Sequence, residues 1–183
     1  SIFISLFTIL FSININGSTL KDFVKSPYFN EQICLFNYSH GIRILINAPS
    51  AEHFDPSKPT CLMFFALPNG NTIEWTVGKQ LSEGDNFHYD VQHIGAQTRF
   101  LRNTIVDENL IVVYLENTEK SWPAWKVKHI ENHDVIIKQL VEHIKGLFAD
   151  YNPYVVLTGH SGGGRFTFSF IDAFPEIPSY VKR

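Results

Sequence analysis

The sequence predicts an α/β protein, a mainly parallel sheet with helices flanking it. Three observations predict it. The stretches "TCLMFFAL", "LIVVYLE" and "YVVLTG" are apolar without alternation, so each strand needs cover on both faces, as in a parallel sheet. Between them, "YDVQHIGAQTRFL" and "NHDVIIKQLVEHIKGLFADY" repeat apolar residues at helical spacing. Strand and helix then alternate along the chain, which brings successive strands together through crossovers. With 183 residues, one domain with a substantial core is expected, not two.

The first segment, "SIFISLFTILFSININGST", carries an apolar run from Ile2 to Ile13. It has the length of a signal-peptide core and is short for a bilayer span. Asn16, Gly17, Ser18 and Thr19 follow as residues near a cleavage site would, although a starting Met and a basic leader are absent. A buried first strand is the competing reading. Export, to the periplasm or outside the cell, is expected. Residues 1–19 are then a signal-peptide remnant, the domain occupies 20–183, and no stable membrane insertion follows removal of the leader.

"EQICLFNYSHGIRILINAPS" reads as two strands around the turn Ser39-His40-Gly41, and "SAEHFDPSKP" as a polar connection. After the strand "TCLMFFAL", "PNGNT" breaks the chain sharply. The next helix has Val91, Ile94, Thr98 and Leu101 in register. The longest helix places Val135, Ile136, Leu140, Ile144 and Leu147 on one stripe, with Asn132 or Asp134 as cap. "GGRFTFSFIDAF" is a helix ended by Pro175. With the sheet stopping at "YVVLTG", an open apolar edge is expected there.

A net charge of −3 with scattered Lys and Arg gives no basic stripe, so neither nucleic acid nor an anionic membrane is an expected partner. Cys34 and Cys61 sit in apolar runs and fit no metal spacing, which reads as two packed thiols. His129 and His133 are four apart, but "HIENH" lacks the glutamate beside the first histidine, so no metal is expected.

The chemistry centres on Ser161. Gly159-His160-Ser161-Gly162-Gly163 fits G-x-S-x-G between a strand and a helix, the context that motif requires. The turn is tight enough that side chains at Gly159 and Gly163 would clash, and the serine backbone is strained. Its hydroxyl is held at the carboxyl end of the sheet, and the Gly162 N–H lies at a helix start, where partial positive charge collects. Phosphate-binding turns are also glycine-rich, but "GHSGGGR" is neither G-x-G-x-x-G nor a lysine-bearing P-loop. A second oxyanion donor is expected from "ALPNGNT". Asn69-Gly70 permits a positive φ, Pro68 has no N–H, and Asn71 is the expected donor beside Gly162. An ordinary turn is the competing reading.

The order of hairpin, "FFALPNGNT" loop, helix, strand, helix and "GHSGGG" elbow resembles the α/β-hydrolase superfamily over most of the chain after Leu20. "LPNGNTIEWTVGK", "QHIGAQTRFLR" and "SWPAW" resemble a group of its exported members. The resemblance implies Ser161 as nucleophile, an acid after a later strand and a histidine near the end. Only "EIPSYVKR" follows the elbow helix, so the chain looks like the N-terminal portion of such a domain, with acid and histidine expected beyond residue 183. The implied activity is esterase-like hydrolysis of a small-molecule or glycan-linked ester, without a cofactor. A peptidase or amidase of the same superfamily is the nearest alternative. A non-catalytic binding module is the reading if the chain is complete.

None of the eight histidines (His40, His53, His88, His93, His129, His133, His143, His160) occupies the expected place of a base, and His160 is expected in packing or a pocket wall. Trp122 and Trp125 lie on the same edge as Ser161 and read either as pocket residues that stack on a sugar or ring, or as packing. Glu74 and Trp75 admit the same two readings. Arg99 and Arg102 read as surface or ion-pair residues.

Overall fold

The computed structural model describes residues 18–88 and 93–182. Six strands form one sheet: β1 (Val24–Lys25), β2 (Glu31–Tyr38), β3 (Ile42–Pro49), β4 (Thr60–Ala66), β5 (Asn109–Asn117) and β6 (Tyr154–Gly159). Their spatial order is β1-β2-β3-β5-β4-β6. Among the described residues five helices flank it: α1 (Ile73–Val77), α2 (Ile94–Thr104), α3 (Trp122–Lys128), α4 (His133–Leu147) and α5 (Gly164–Asp172). The expected start of α2 at residues 89–92, and the leader read at residues 1–17, lie outside the described residues.

The sheet is mixed, which corrects the expectation of a mainly parallel one. β4 runs parallel to both β5 and β6, but the pairings β1–β2, β2–β3 and β3–β5 are antiparallel. The cause is the turn at residues 39–41, where His40 (φ 61°) and Gly41 (φ 70°) take left-handed backbone. So short a turn can only fold a strand back on itself. β3 therefore enters the sheet reversed, and it meets β5 that way. A strand without polar alternation announces cover on both faces, not the direction of its neighbour.

That cover is present. On β5, Ile111, Val113 and Leu115 join a core with Leu62, Phe64, Ile137, Leu140, Phe166 and Phe170 under α3, α4 and α5. The alternate residues Leu110, Val112 and Tyr114 pack with Leu45, Cys61, Phe65 and Ile73 on the opposite face, beside α1 and α2. Tyr114 is fully buried; its hydroxyl meets Thr98 Oγ1 at 2.9 Å, and burial pushes its pKa up to about 12. Both cysteines are free thiols.

α4 presents a different stripe from the one expected. Ile136, Ile137, Leu140, Val141 and Ile144 are buried, whereas Val135 is 48% and Leu147 54% exposed. Val135 falls outside the arc those five define, and Phe148 fills the core at the helix end in place of Leu147. Asn132 is the N-cap residue but makes no side-chain capping bond. Beside β6 the edge is not fully open. Val181 bridges Val155 in parallel, with Val155 N–H donating to the Tyr180 carbonyl and Lys182 N–H to the Val155 carbonyl, both at 2.8 Å.

One buried carboxylate ties the α1–α2 side to the sheet. Glu31 Oε1 accepts from Arg99 Nε (2.9 Å) and Arg102 Nη1 (3.2 Å), and Oε2 from Asn47 Nδ2 (2.8 Å). Arg99 also reaches the Val77 carbonyl, and Arg102 the carbonyls of Leu110 and Asn47. Both arginines are thus ion-pair residues, as their sequence context suggests. Burial lowers the Arg102 pKa to about 10, against the opposing pull of Glu31. Removing the acid would leave two clustered guanidinium groups without their anion. Glu31→Ala is therefore expected to cost about 3–5 kcal/mol, read as a lower urea midpoint. An unchanged midpoint would show that the cluster contributes nothing.

Candidate active site at the carboxyl edge of the sheet

Three segments meet where the parallel strands end: residues 67–72 after β4, residues 118–121 after β5 and the turn after β6. Their backbones are tied together. Leu67 N–H donates to the Leu115 carbonyl at 3.1 Å, and Gly70 N–H to the Lys120 carbonyl at 2.8 Å. Ile73 N–H donates to Glu116 Oε2 at 2.9 Å. Thr72 then caps α1, its side chain accepting from the Trp75 N–H at 3.4 Å. The loop that follows β4 is fastened at three points.

The turn after β6 has the geometry the motif demands. Ser161 holds φ at 51°, a left-handed value that costs a non-glycine residue about 1–3 kcal/mol. It opens a short 3₁₀ turn, Ser161–Gly163, that runs directly into α5. A β-carbon on Gly163 would lie far inside van der Waals contact of the Ala66 carbonyl oxygen. One on Gly159 would lie 2.8 Å from the Gly163 carbonyl carbon and 3.2 Å from the Ala66 oxygen. Ala66 pairs with Gly159 in the sheet, so the end of β4 is the surface against which the elbow is pressed. Ser161 and His160 are both exposed.

The expected oxyanion donor requires correction. Asn71 N–H donates to the Pro68 carbonyl at 3.2 Å, closing a four-residue turn around Gly70 (φ 79°). Asn71 is buried, and its N–H is engaged in holding the turn. The residue brought to the elbow is Asn69. It is exposed, and its carboxamide occupies the space that a β-carbon on Gly162 would fill. Sequence reasoning used Asn69 only as half of an Asn-Gly turn. The signal available was its place at the crown of that turn, between two residues whose own N–H groups are absent (Pro68) or spent (Gly70).

Trp122 and Trp125 are not pocket residues. Both are buried at 2% exposure or less, in edge-to-face contact at 5.5 Å, and Trp122 packs on Phe166. Trp125 Nε1 donates to the His40 carbonyl at 2.9 Å. The reason is helix α3, which the loop reading missed: Ser121 caps it by accepting from Ala124 N–H at 3.3 Å, and Pro123 sits in its first turn. Glu74 pairs with Arg43, and Trp75 stacks on Phe87. Cavities of about 380, 110 and 310 Å³ among the described residues are lined by other residues than Ser161.

Among the described residues no histidine hydrogen-bonds Ser161. His53 Nδ1 meets Ser50 Oγ at 2.8 Å, His129 Nδ1 the Trp125 carbonyl at 2.9 Å, and His88 the Asn86 carboxamide at 3.1 Å. His40 packs edge-on to His129, and His143 lies against Tyr38. His133 is buried, with Nδ1 lacking a partner among the described residues. Among them, no cluster of three or more His, Cys, Asp or Glu residues could hold a metal ion, and no helix is long and apolar enough to cross a membrane.

No protein-family model, curated protein or solved structure matches this chain. Fold and site together define an α/β protein with a six-stranded mixed sheet and an exposed serine on a strained strand-to-helix turn.

Two measurements test this geometry. Gly163→Ala should lower stability by about 3 kcal/mol or more, because a backbone carbonyl cannot step aside. Gly146→Ala in α4, where nothing lies within 4 Å of the new methyl, should raise it by up to about 1 kcal/mol. Equal denaturation midpoints for the two variants would contradict the close approach at Ala66. For His133, burial and then Lys126 and Arg165 lower the pKa, against Asp134 and Asp172, which raise it. The unfolded chain, with a histidine pKa near 6.5, then takes up the proton first as pH falls. Stability attributable to His133 is full above about pH 6.5 and falls below it. His133→Gln should flatten the fall in melting temperature between about pH 7 and pH 5; an identical slope in the variant would remove His133 as its source.

Proposed function

We propose that the protein is a serine hydrolase that cleaves a carboxylic ester by acyl-enzyme chemistry, with Ser161 as nucleophile. The observation that carries this is Ser161 itself: exposed, held at φ 51° between β6 and the helix that follows, on a turn that only glycines at 159 and 163 permit. A strained, non-glycine residue at a carboxyl-edge turn is a conformation that folding alone does not favour, and such strain collects at functional sites. The order of hairpin, loop, helix, strand, helix and elbow, which resembles the α/β-hydrolase superfamily, supports the reading.

In this reading Ser161 Oγ attacks the ester carbonyl carbon. Its proton passes to a histidine and on to the departing alkoxide, leaving an acyl-serine that water then hydrolyses. Gly162 N–H, at the start of the helical turn, stabilises the oxyanion. Asn69 Nδ2, the donor end of the carboxamide beside Gly162, takes the part that the sequence suggested for the Asn71 N–H. The histidine and acid come from outside residues 1–183, and the protein acts after export. A second reading, a ligand-binding module without catalysis, is favoured by one observation: among the described residues no histidine reaches Ser161.

Ser161→Ala separates the two. In the protein with its histidine and acid present, the variant should lose turnover of p-nitrophenyl esters by a factor of about 10⁴ or more, and labelling by a fluorophosphonate. A panel with peptide substrates distinguishes ester from amide cleavage. Undiminished ester turnover in the variant would overturn the assignment, and an unlabelled, inactive wild type would favour the binding module.

A further inference from the structure

We propose that the cavity between α2, the paired ends of β2 and β3 and the connection to β4 binds a small carboxylate carried on an apolar body. It lies where β5 begins, at the opposite edge of the sheet from Ser161, and its case does not depend on the reading of that serine. The cavity measures about 380 Å³, within the range of small-molecule pockets. Its charged lining does not cancel: Arg99, Arg102 and Lys58 stand against Glu31 and Glu108. Glu31 is enclosed, its side chain 5% exposed, and its one carboxylate serves both guanidinium groups. Glu108 Oε2 is engaged by the Tyr154 hydroxyl, which donates to it at 2.7 Å. Lys58 Nζ donates to the Val106 carbonyl at 2.8 Å and has no ion pair among the described residues. Asp55, the acid whose charge Lys58 stabilises, accepts from Ser57 and does not line the cavity.

A ligand can reach these cations. The Arg99 side chain is 23% exposed and that of Arg102 12%, and Lys58 is half-buried at the mouth. The bonds of Arg102 to Glu31, Leu110 and Asn47 do not exhaust its N–H donors. Burial holds the Arg102 pKa down to about 10, so Glu31 does not fully offset the cost of enclosing that charge. Structural need explains why Glu31 is there, but not why the cations around it outnumber the acids. A carboxylate entering the cavity supplies the charge and the acceptor oxygens that are short. The surplus is a single positive charge, which a monoanion matches; a phosphate monoester, at about −1.5 to −2, overshoots it. Phe29, Pro49, Ile105 and Val106 supply apolar surface in the same lining, so the carboxylate is best carried on a ring or short hydrocarbon.

Probes matched in shape test this: 2-naphthoate, its neutral amide 2-naphthamide, and 2-naphthyl phosphate, titrated against the 183-residue chain by ligand-observed NMR. The naphthoate should bind roughly tenfold more tightly than the amide, the worth of a charge-assisted hydrogen bond. Added salt should narrow that gap. Lys58→Gln, outside the Glu31 cluster, should weaken naphthoate about fivefold and leave the amide unchanged. A second variant guards against a fold effect: Val106→Glu, at a position 65% exposed, should weaken naphthoate at least as much while leaving the melting temperature in place. Equal affinity for naphthoate and its amide would overturn the proposal, as would binding of neither. A preference for naphthoate that survives both substitutions would place its binding elsewhere on the chain. Tighter binding of the naphthyl phosphate would overturn the assignment to a monoanion.

Discussion

The approach of the β6 elbow to the end of β4 is the constraint on which the site depends. Ala66 carries its carbonyl oxygen to a point that any side chain at Gly163 would occupy, and it stands within 3.2 Å of one at Gly159. With both hydrogens in place, α5 starts directly from the sheet. Phe166 and Phe170, one turn apart, then reach the core under α3 and α4. The strain at Ser161 is the consequence: a chain that turns from strand to helix in so few residues must pass one of them through left-handed backbone. The packing of α5 overdetermines that conformation, so the serine keeps it although a non-glycine residue disfavours it.

A strained turn is useful only on a rigid base. Both faces of β4 and β5 are buried, and the loop after β4 is fixed to its neighbours by Leu67, Gly70 and Ile73, each through its N–H. Glu116 does double work here, accepting from Ile73 N–H and pairing with Arg43 from the neighbouring strand. Far along the same sheet, Glu31 gathers Arg99, Arg102 and Asn47, holding α2 against β2, β3 and the start of β5. The helices on one side are held chiefly by apolar packing, those on the other by packing and this buried charge cluster. Such a cluster stabilises little relative to an apolar core but is costly to break, so it fixes position more than it adds stability.

How much of this was legible follows from what each kind of pattern encodes. The apolar runs of β4, β5 and β6 and the hairpin at Ser39–Gly41 could be read directly, because burial and turn chemistry are local properties. The antiparallel entry of β3 was not, since an apolar strand looks alike beside either kind of neighbour. α3 is legible in principle, since Ser121 followed by Pro123 is a helix start, but two tryptophans beside the carboxyl edge also read as a ligand surface. Their burial shows that large aromatic residues near a site report on packing first. The elbow glycines were readable from sterics, but the partner of each hydrogen atom was not, because contacts with Ala66 and Asn69 are made across the sheet edge and leave no mark on spacing.

That last point separates the glycines into two tasks. Gly159 and Gly163 let β4 and the elbow meet, and their neighbours are backbone atoms that cannot yield. Gly162 meets only the end of the Asn69 side chain. A methyl there could be accommodated by turning one carboxamide away, so the fold does not demand glycine at 162 as strictly as at 163. What glycine at 162 preserves is the contact between the loop after β4 and the residue following Ser161. A residue that the fold needs only weakly, set where two loops touch beside a strained serine, is one at which a side chain would disturb that junction more than the fold. The same reasoning favours Asn69 over Asn71: the amide of Asn71 is committed to holding the turn, while Asn69 is the side chain that the turn delivers to the elbow.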